Sequence, residues 1–519
     1  MFNSAIEKDS KQRKKSRLGI ETILSIIAIA LVTSIFFKAI IDLDNYYDPG
    51  WYHLPFAARL GGILPREMFI GDEKWFEPRF DGFPLLAHFL QGFFWRTTGR
   101  IQSTNLVSFF SIVGYFFFLK SYFKIPLYLS AIALLSIPLV LTHATTSFVD
   151  LFGNIGVSIA VMMTYSFYKN KQLPSLEELV MAFIGCAIAA NTKTQLQPLI
   201  FVILIFAGIR LTWLYFKQKP AIKLTKIIPV ALLASIIIFA SPIKNAIAYQ
   251  NPFYPIKIQV GTIVLNHKLS PEAYEGGNRQ INWVKSVLEI NTPLFWTPDQ
   301  WSDDVNRSRK GGFWGAYVIF NLLLLVSLTI REAIVNKSLP ENTNNEAKVA
   351  LFTAIAMSLV PLNFPQSHEL RYFMYWMICL VSLNLYLVSL PKNRQLIGRW
   401  LQPKYLGLVY TIFLIVILVK VGEFYAKPSF VTLDKHLSIG VKSEFIDRIQ
   451  PNEKVCLISK HIGEDTQTAP TAALKYAFLY SSHFHPELDY DYSIQAAFDP
   501  KACGDRTIIP NRSYTNSQK

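Results

Sequence analysis

Acidic side chains lie at two places in the chain where they adjoin long apolar runs. Asp42, Asp44 and Asp48 lie within seven residues, directly after the first such run, and Asp150 is the only acid of the polar stretch 142–150. A carboxylate held near lipid headgroups is partly desolvated, and its pKa is then tunable toward that of a general base. An acid at the start of an apolar run is costly unless it is paired, functional or a helix cap. We therefore predict Asp48, Asp150 and Asp44 as catalytic candidates, with solvated loop charges as the alternative.

Two cations occupy comparable places. Lys193 lies in a polar break between two apolar runs, and Arg371 lies where a late apolar run begins. Cations on the side that holds the acids can neutralise the negative charge of a phosphate leaving group. Lys193 and Arg371 are therefore both predicted to bind a donor phosphate. The alternative for each is a snorkelling anchor at the membrane edge. Polar neighbours of these charges are candidates for substrate contact or support: Tyr52, His53, His143, His368 and Glu369.

The composition indicates what holds these residues. Of the 519 residues, 51% are apolar and 17% are charged, whereas a soluble domain carries about 25% charge. Such a chain is not disordered, a coiled coil or a disulfide scaffold. The net charge of +15 does not require nucleic acid as a partner, because membrane proteins collect Lys and Arg in cytoplasmic loops. The prediction is an α-helical polytopic membrane protein of the cytoplasmic (inner) membrane.

Apolar stretches of suitable length predict about eleven transmembrane helices. They are 20–41, 103–119, 125–142, 152–168, 178–191, 196–215, 226–243, 313–330, 349–362, 371–390 and 405–421. If they alternate in direction from a cytoplasmic basic tail, 1–19, every cytoplasmic loop carries Lys or Arg, and the short outer loop 143–151 carries none. This distribution obeys the positive-inside rule.

The same alternation leaves two large outer segments, 42–102 and 244–312, as parts of a membrane domain over 20–421. Within the first, 83–95 is apolar but would invert the later loops if it crossed the membrane, so we expect an interfacial helix. A second interfacial helix is expected at 51–60. Asp299, Asp303 and Asp304 match no calcium-binding spacing and are expected to be solvated.

The tail, 422–519, has a soluble composition and is predicted to be a small extracytoplasmic α/β domain. We expect helices at 444–449 and 469–480 and a strand at 454–459. Cys456 and Cys503 either form a disulfide, which an oxidising compartment permits, or remain free thiols. Cys186 and Cys379 lie in predicted spans as packing residues.

Five motifs in this order resemble the GT-C superfamily of polytopic glycosyltransferases, most closely its bacterial mannosyltransferase-like branch. Three are Asp48 before Tyr52-His53-Leu-Pro, the outer loop ending at Asp150, and the pair Thr192-Lys193. The others are Asn-Pro-Phe-Tyr-Pro at 251–255 and Arg371-Tyr372. The resemblance covers about 20–390. It departs from the family in the spacing of the first acids and in lacking a His-Pro-Pro stretch, and no oligosaccharyltransferase signature occurs.

The resemblance implies inverting transfer of one sugar from a polyprenyl-phosphate-linked donor to an envelope acceptor on the outer membrane face. Asp48 would be the base, Asp150 would orient the substrates, and Lys193 and Arg371 would stabilise the departing phosphate. The sequence specifies no cofactor, and a divalent metal held with the help of Asp150 stays an open alternative. The sequence does not specify the sugar or the acceptor. Rival hypotheses are a polysaccharide polymerase or ligase with a polyprenyl-diphosphate donor, and a lipid or glycan transporter.

Overall fold

The computed structural model describes residues 19–44, 46, 48–63, 76–221, 223–270, 278–289, 312–336, 345–390, 402–420, 426–430, 450, 453–459, 494–497 and 500–511. Most of these residues are helical. Several sequence predictions fall outside the described residues: those for 299–304 and 391–401, the predicted helix at 444–449 and the predicted helix at 469–480.

Seven helical segments in this part of the chain are long and apolar enough to cross a membrane. At a rise of 1.5 Å per residue, about 20 residues span a hydrocarbon core of about 30 Å. The helices that form or contain these segments are α1 (Ile20–Ile41), α5 (Leu106–Phe123, with the 3₁₀ turn Ile101–Asn105 before it), α8 (Asp150–Lys169), α10 (Leu196–Gln218), α14 (Gly315–Asn336), α15 (Glu346–Asn363) and α16 (Met374–Ser389, with the 3₁₀ turn Leu370–Phe373 before it). The protein is therefore a multi-pass α-helical membrane protein.

The other four predicted spans are helical but broken or shorter. The stretch at 226–243 is a pair of helices, α11 (Leu224–Ile238) and α12 (Ala240–Tyr249), that meet at 69°, and it makes an eighth span if the pair is counted as one. The remaining elements are α6 (Leu127–Leu135) with α7 (Pro138–His143), α9 (Leu176–Ala190) and α17 (Pro403–Lys420). By length and composition, the described residues contain seven or eight candidate spans, and the predicted count of eleven is not confirmed.

The prediction of one continuous span at 125–142 is wrong. α6 ends at Leu135, and Pro138 starts α7 because its ring fixes a helical φ but cannot continue the preceding helix. Nearly every residue of both helices is buried. Tyr317 Oη donates to the carbonyl of Ala133 at 2.7 Å, which ties α6 to α14 in the protein interior.

α8 and α16 form the centre of the bundle. α16 is almost wholly buried, and α8 contacts α5, α9, α10 and α16. The backbones of α8 and α9 lie close together where Gly156 faces Gly185, since a Cβ on Gly156 would lie 2.8 Å from the carbonyl oxygen of Gly185. Small residues permit such close helix packing in membranes. The central helix that begins at Asp150 is therefore held firmly by its neighbours.

Four short elements follow α1 on the side where it ends. They are a π-helical turn (Pro49–His53), α2 (Leu54–Leu60), α3 (Phe76–Gly82) and α4 (Leu86–Thr98). α2 and α4 pack closely, because a Cβ on Gly92 would lie 2.3 Å from the carbonyl oxygen of Ala57. α4 is the segment expected to be interfacial. It leaves Phe89 and Phe93 exposed but buries His88, Gln91 and Trp95.

A group of lysines marks one end of the bundle. Lysines collect at the end where α8 finishes: Lys120, Lys124, Lys169, Lys171, Lys217 and Lys219. Lys169 Nζ donates to Tyr386 Oη at 2.8 Å there, and Gln218 reaches the carbonyl of Lys171. The opposite end, where α1 ends and α8 begins, carries the predicted catalytic residues. We call these the basic end and the site end.

Three strands are described in the tail: β3 (Val455–Ser459), β4 (Ile494–Ala497) and β5 (Thr507–Asn511), after the hairpin strands β1 (Gln259–Val260) and β2 (Ile263–Val264). β3 lies between β4 and β5 and is parallel to both, and it coincides with the predicted strand. Cys456 and Cys503 form a disulfide, which decides between the two alternatives for them. Cys186 and Cys379 are buried and free.

Candidate functional site

Asp150 and Lys193 form an ion pair at the site end, which we call the inner pair. Asp150 is the first residue of α8, and Lys193 lies in the turn between α9 and α10. The Asp150 side chain is 1% exposed and that of Lys193 is 11% exposed. A buried charge is stable only when it is paired, so each side chain fixes the position of the other.

Asp48 and Arg371 form a second ion pair, the outer pair, with Arg371 Nη1 2.5 Å from Asp48 Oδ2. Asp48 precedes the π-helical turn, and Arg371 lies in the 3₁₀ turn before α16. The Asp48 side chain is 18% exposed. Asp48 is therefore the carboxylate of the two pairs that is accessible to a substrate.

Asn154 links the two pairs. Its amide nitrogen donates to the carbonyl of Asp150 at 2.8 Å and to that of Arg371 at 3.1 Å. Its side-chain oxygen accepts from the backbone nitrogen of Tyr375 at 2.9 Å. These bonds join the first turn of α8 to the turn that carries Arg371. The spacing between the inner and outer pairs is thus fixed by hydrogen bonds as well as by helix packing.

Two aromatic rings fill the space among the charges. Tyr372 has Lys193 Nζ 3.9 Å and Arg371 Cζ 5.1 Å from its ring centroid. Cations are attracted to aromatic faces, so Tyr372 stabilises two positive charges close together. Phe148 is fully buried and contacts Arg371, His53 and His143.

Asp44 serves the backbone of this region and lies outside the two pairs. Its Oδ2 accepts from the backbone nitrogen of Ser147 at 2.8 Å and from the Ser147 hydroxyl at 2.9 Å. Its Oδ1 accepts from the backbone nitrogen of Tyr46. The predicted catalytic acid Asp44 therefore fastens the first outer segment to the turn that precedes Asp150.

Asp42 attaches a segment of the tail to the end of α1. Both of its oxygens accept from the backbone nitrogen of Ser429, at 2.9 and 3.0 Å, and Lys38 pairs with it at 2.6 Å. Ser34 donates to the carbonyl of Ala426. The residues that lead toward the C-terminal strands are thereby attached to the site end of α1.

Two histidines lie behind the outer pair. His53 Nδ1 and His88 Nε2 are 2.8 Å apart and share a hydrogen bond. Burial lowers the pKa of His88 to about 3, and burial together with His88 lowers that of His53 well below its ordinary value. Both rings are therefore neutral near pH 7. Burial and Asp48 raise the pKa of Tyr52 well above its usual range, so its hydroxyl stays protonated.

The surroundings of Lys193 have opposing effects on the pKa of its ammonium group. Burial lowers its pKa, Arg371 acts in the same direction, and Asp150 opposes both. The two carboxylates of the ion pairs thus offset the repulsion between two cations that share one aromatic ring. An additional anion between the cations would relieve this repulsion further.

The remaining predicted residues surround the same region. Glu369 Oε2 lies 3.7 Å from Arg371 Nε, and His368 and Glu369 are both buried before the turn that carries Arg371. The stretch 251–255 forms a turn in which Asn251 bonds the carbonyls of Ile256 and Asn266. Asn245 joins this turn to the carbonyl of Gly82. This motif supports the outer elements and does not contribute a charge to the two pairs.

Sequence reasoning predicted the four charged residues of the inner and outer pairs but missed His88, Gln91, Phe148 and Asn154. A signal for the first two existed, since His88 and Gln91 are three residues apart and therefore share a face of an otherwise apolar helix. Among the described residues, no group of three or more His, Cys, Asp and Glu side chains has an arrangement that holds a metal ion. Asp150 instead engages Lys193.

Comparisons of the chain with protein-family models, with curated proteins and with solved structures find no match.

Proposed function

We propose that this protein is a membrane glycosyltransferase that moves a sugar from a polyprenyl-phosphate donor to an envelope acceptor. The observation that carries the proposal is the meeting of Asp48 and Arg371, 323 residues apart in sequence, beside the buried pair of Asp150 and Lys193. A partly exposed carboxylate and two closely spaced cations suit a reaction that needs a base and a stabilised phosphate leaving group.

The outer pair has a direct part in the proposed reaction. A donor phosphate competes with Asp48 for Arg371 and is bound by Arg371 and Lys193. Asp48, released from Arg371, then accepts the proton of the acceptor hydroxyl. That oxygen attacks C1 of the sugar, the bond from C1 to the phosphate oxygen breaks, and polyprenyl phosphate leaves with the bonding electrons. Attack opposite the leaving group inverts the configuration at C1.

An apolar groove supports a lipid-linked donor. It lies between α8, α10 and α15 and is lined by side chains that include Val161, Leu199, Ile203, Phe352 and Val360. α10 begins just after the turn that holds Lys193. A polyprenyl chain in this groove would bring its phosphate toward the inner pair.

The charge distribution and the disulfide support the orientation in the proposal. Lys and Arg favour cytoplasmic loops, which supports a basic end in the cytoplasm and a site end at the outer face of the inner membrane. Disulfides persist in oxidising compartments, and the C-terminal strands contain the bond between Cys456 and Cys503. In the proposal the N-terminus is cytoplasmic and the tail is extracytoplasmic.

Transfer from a radiolabelled polyprenyl-phosphate sugar in proteoliposomes tests the proposal. We expect Asp48→Asn to reduce transfer about 10²- to 10⁴-fold without weakening donor binding, because it removes only the base. Arg371→Ala and Lys193→Ala should weaken donor binding itself. Asp81→Asn is the matched control, since Asp81 lies in the same outer segment but outside both pairs, and it should leave transfer unchanged.

Three outcomes would contradict the proposal. Full transfer by Asp48→Asn would exclude Asp48 as the base. A preference for a diphosphate-linked donor would favour a polymerase or ligase. Uptake of the sugar lipid into vesicles without a covalent product would favour a transporter.

A further inference from the structure

The inward face of α4 carries polar side chains that the two ion pairs leave unused. His88 is 2% exposed and Gln91 is fully buried, on a helix whose other face exposes phenylalanines. The backbone nitrogen of Leu86 donates to the carbonyl of Asn191, which holds the start of α4 against the turn of Lys193. Gln91 Nε2 donates to the carbonyl of Ser147 at 2.6 Å, in the turn before Asp150. α4 therefore presents its polar face to the inner pair.

Several buried atoms in this cluster make no hydrogen bond within the described part of the chain. They are His53 Nε2, His88 Nδ1, Gln91 Oε1 and Asp150 Oδ2. More than 90% of buried polar groups in proteins are hydrogen-bonded to protein, water or a ligand. Leaving such a group without a partner destabilises the folded protein, because its hydration is lost without replacement. Four together indicate a place built to receive polar groups from outside the chain.

The chemistry of these atoms specifies the kind of group. In a neutral histidine one ring nitrogen donates and the other accepts. Because His53 and His88 share one hydrogen bond, one of their two outer nitrogens carries a proton and the other carries a lone pair, whichever tautomers are present. Gln91 Oε1 and Asp150 Oδ2 add two acceptors. The cluster thus offers one donor and three acceptors, and a hydroxyl group complements both.

An anion does not fit this arrangement as well. A phosphate presents acceptor oxygens only, whereas three of the four atoms at this place need a donor. The His53 ring packs against Phe148, which precedes Asp150 by two residues, with 5.7 Å between the ring centroids, so His53 lies close to the start of α8. Arg371 and Lys193 therefore suit the phosphate of a donor, whereas the histidines and Gln91 suit a neighbouring group that carries hydroxyls.

We propose that His53, His88 and Gln91, together with the free oxygen of Asp150, form a hydroxyl-binding subsite for the sugar of the donor. This inference rests on the proposed function and deepens it. The sugar ring hydroxyls exchange hydrogen bonds with these four atoms, while the polyprenyl phosphate contacts Arg371 and Lys193. The subsite thus distinguishes sugar-bearing from bare polyprenyl phosphate.

Equilibrium binding to purified protein separates the two regions. The probes are bare polyprenyl phosphate and a panel of polyprenyl phosphates that carry a hexose, a pentose or an aminopentose. We expect at least one sugar-bearing form to bind the wild type more tightly than the bare lipid. Gln91→Leu and His88→Phe should each lower this preference about 10-fold, the scale of one hydrogen bond, and leave the affinity for the bare lipid unchanged.

His267→Phe is the matched control, because His267 is a partly buried histidine of the 251–270 loop whose ring bonds only a local carbonyl within the described residues. It should keep the full preference. Arg371→Ala should weaken both kinds of probe equally. If no sugar-bearing form binds more tightly than the bare lipid, or if Gln91→Leu keeps the wild-type preference, the subsite is wrong even when the phosphate region is right.

A second measurement needs no lipid and stays informative if polyprenyl phosphate fails to bind. Methyl glycosides of the same sugars are added to protein with ¹⁵N-labelled histidine, and the ring nitrogen resonances are followed by NMR. We expect at least one glycoside to shift the resonances that disappear in His53→Phe and His88→Phe, and Gln91→Leu to weaken this response. If no glycoside shifts them, the subsite is refuted. If a glycoside shifts them but no polyprenyl phosphate binds, the subsite stands and the proposed donor is wrong.

Discussion

Neutralising the inner pair one residue at a time should destabilise the protein more than removing both charges together. The substitutions are Asp150→Asn, Lys193→Met and the double variant. Each single change leaves one ionised group in a site where the Asp150 side chain is 1% exposed and that of Lys193 is 11% exposed. Breaking a buried pair from one side typically costs about 3–5 kcal/mol, because the remaining charge is desolvated without compensation.

The double variant has no such orphaned charge. Replacing a buried pair by neutral groups of similar volume is often close to neutral in stability. We therefore expect the double variant to be at least about 2 kcal/mol more stable than the less stable single variant. Exposed pairs contribute only about 0–1 kcal/mol, so a coupling of this size would identify the pair as buried.

The assay is reversible unfolding of purified protein in mixed micelles as the denaturing detergent is increased, followed by circular dichroism. Asp81→Asn serves as the control for a carboxylate outside the pairs and should change the free energy of unfolding by less than about 0.5 kcal/mol. If the two single losses add in the double variant to within about 0.5 kcal/mol, Asp150 and Lys193 do not interact as described.

Three further predictions concern stability. Burial lowers the pKa of His88 to about 3, so below about pH 6.5 the unfolded chain binds a proton that the folded protein excludes. The free energy of unfolding should therefore fall as the pH drops below about 6.5, by up to about 1.4 kcal/mol per pH unit. His88→Phe should flatten this slope. Gly156→Ala places a Cβ 2.8 Å from the backbone of α9 and should cost about 1–3 kcal/mol in the same assay, whereas Gly114→Ala, which meets nothing within 4 Å, should not destabilise. The disulfide between Cys456 and Cys503 joins residues 47 positions apart. Alkylation of protein from the native membrane without reductant should modify neither cysteine, as read by mass spectrometry. Modification of both cysteines in the folded protein would contradict the bond.

Much of the architecture was predictable because the relevant signals are local. Apolar runs of about 20 residues predict spans, and charges at their ends stand out against a chain with few acids. The stretch at 125–142 misled the prediction, since a lipid-facing helix and a buried broken helix have the same apolar composition. Only the position of Pro138 within that stretch indicated the break.

The pairing of the charges was not predictable. Asp48 and Arg371 are 323 residues apart and Asp150 and Lys193 are 43 residues apart, and no local pattern encodes which cation faces which acid. Asp44 likewise bonds Ser147, which is 103 residues away in the sequence. α4 was predicted to be interfacial because a full span there would invert the later loops, an argument that does not reveal the buried polar face with His88 and Gln91.

The central claim is that a lipid phosphate displaces Asp48 from Arg371. A cryo-electron microscopy structure of the protein with polyprenyl phosphate tests it most directly. We predict phosphate oxygens within hydrogen-bonding distance of Arg371 and Lys193, and loss of the 2.5 Å contact between Arg371 Nη1 and Asp48 Oδ2. A bound phosphate remote from both cations, or one that leaves the contact between Asp48 and Arg371 intact, would contradict the account.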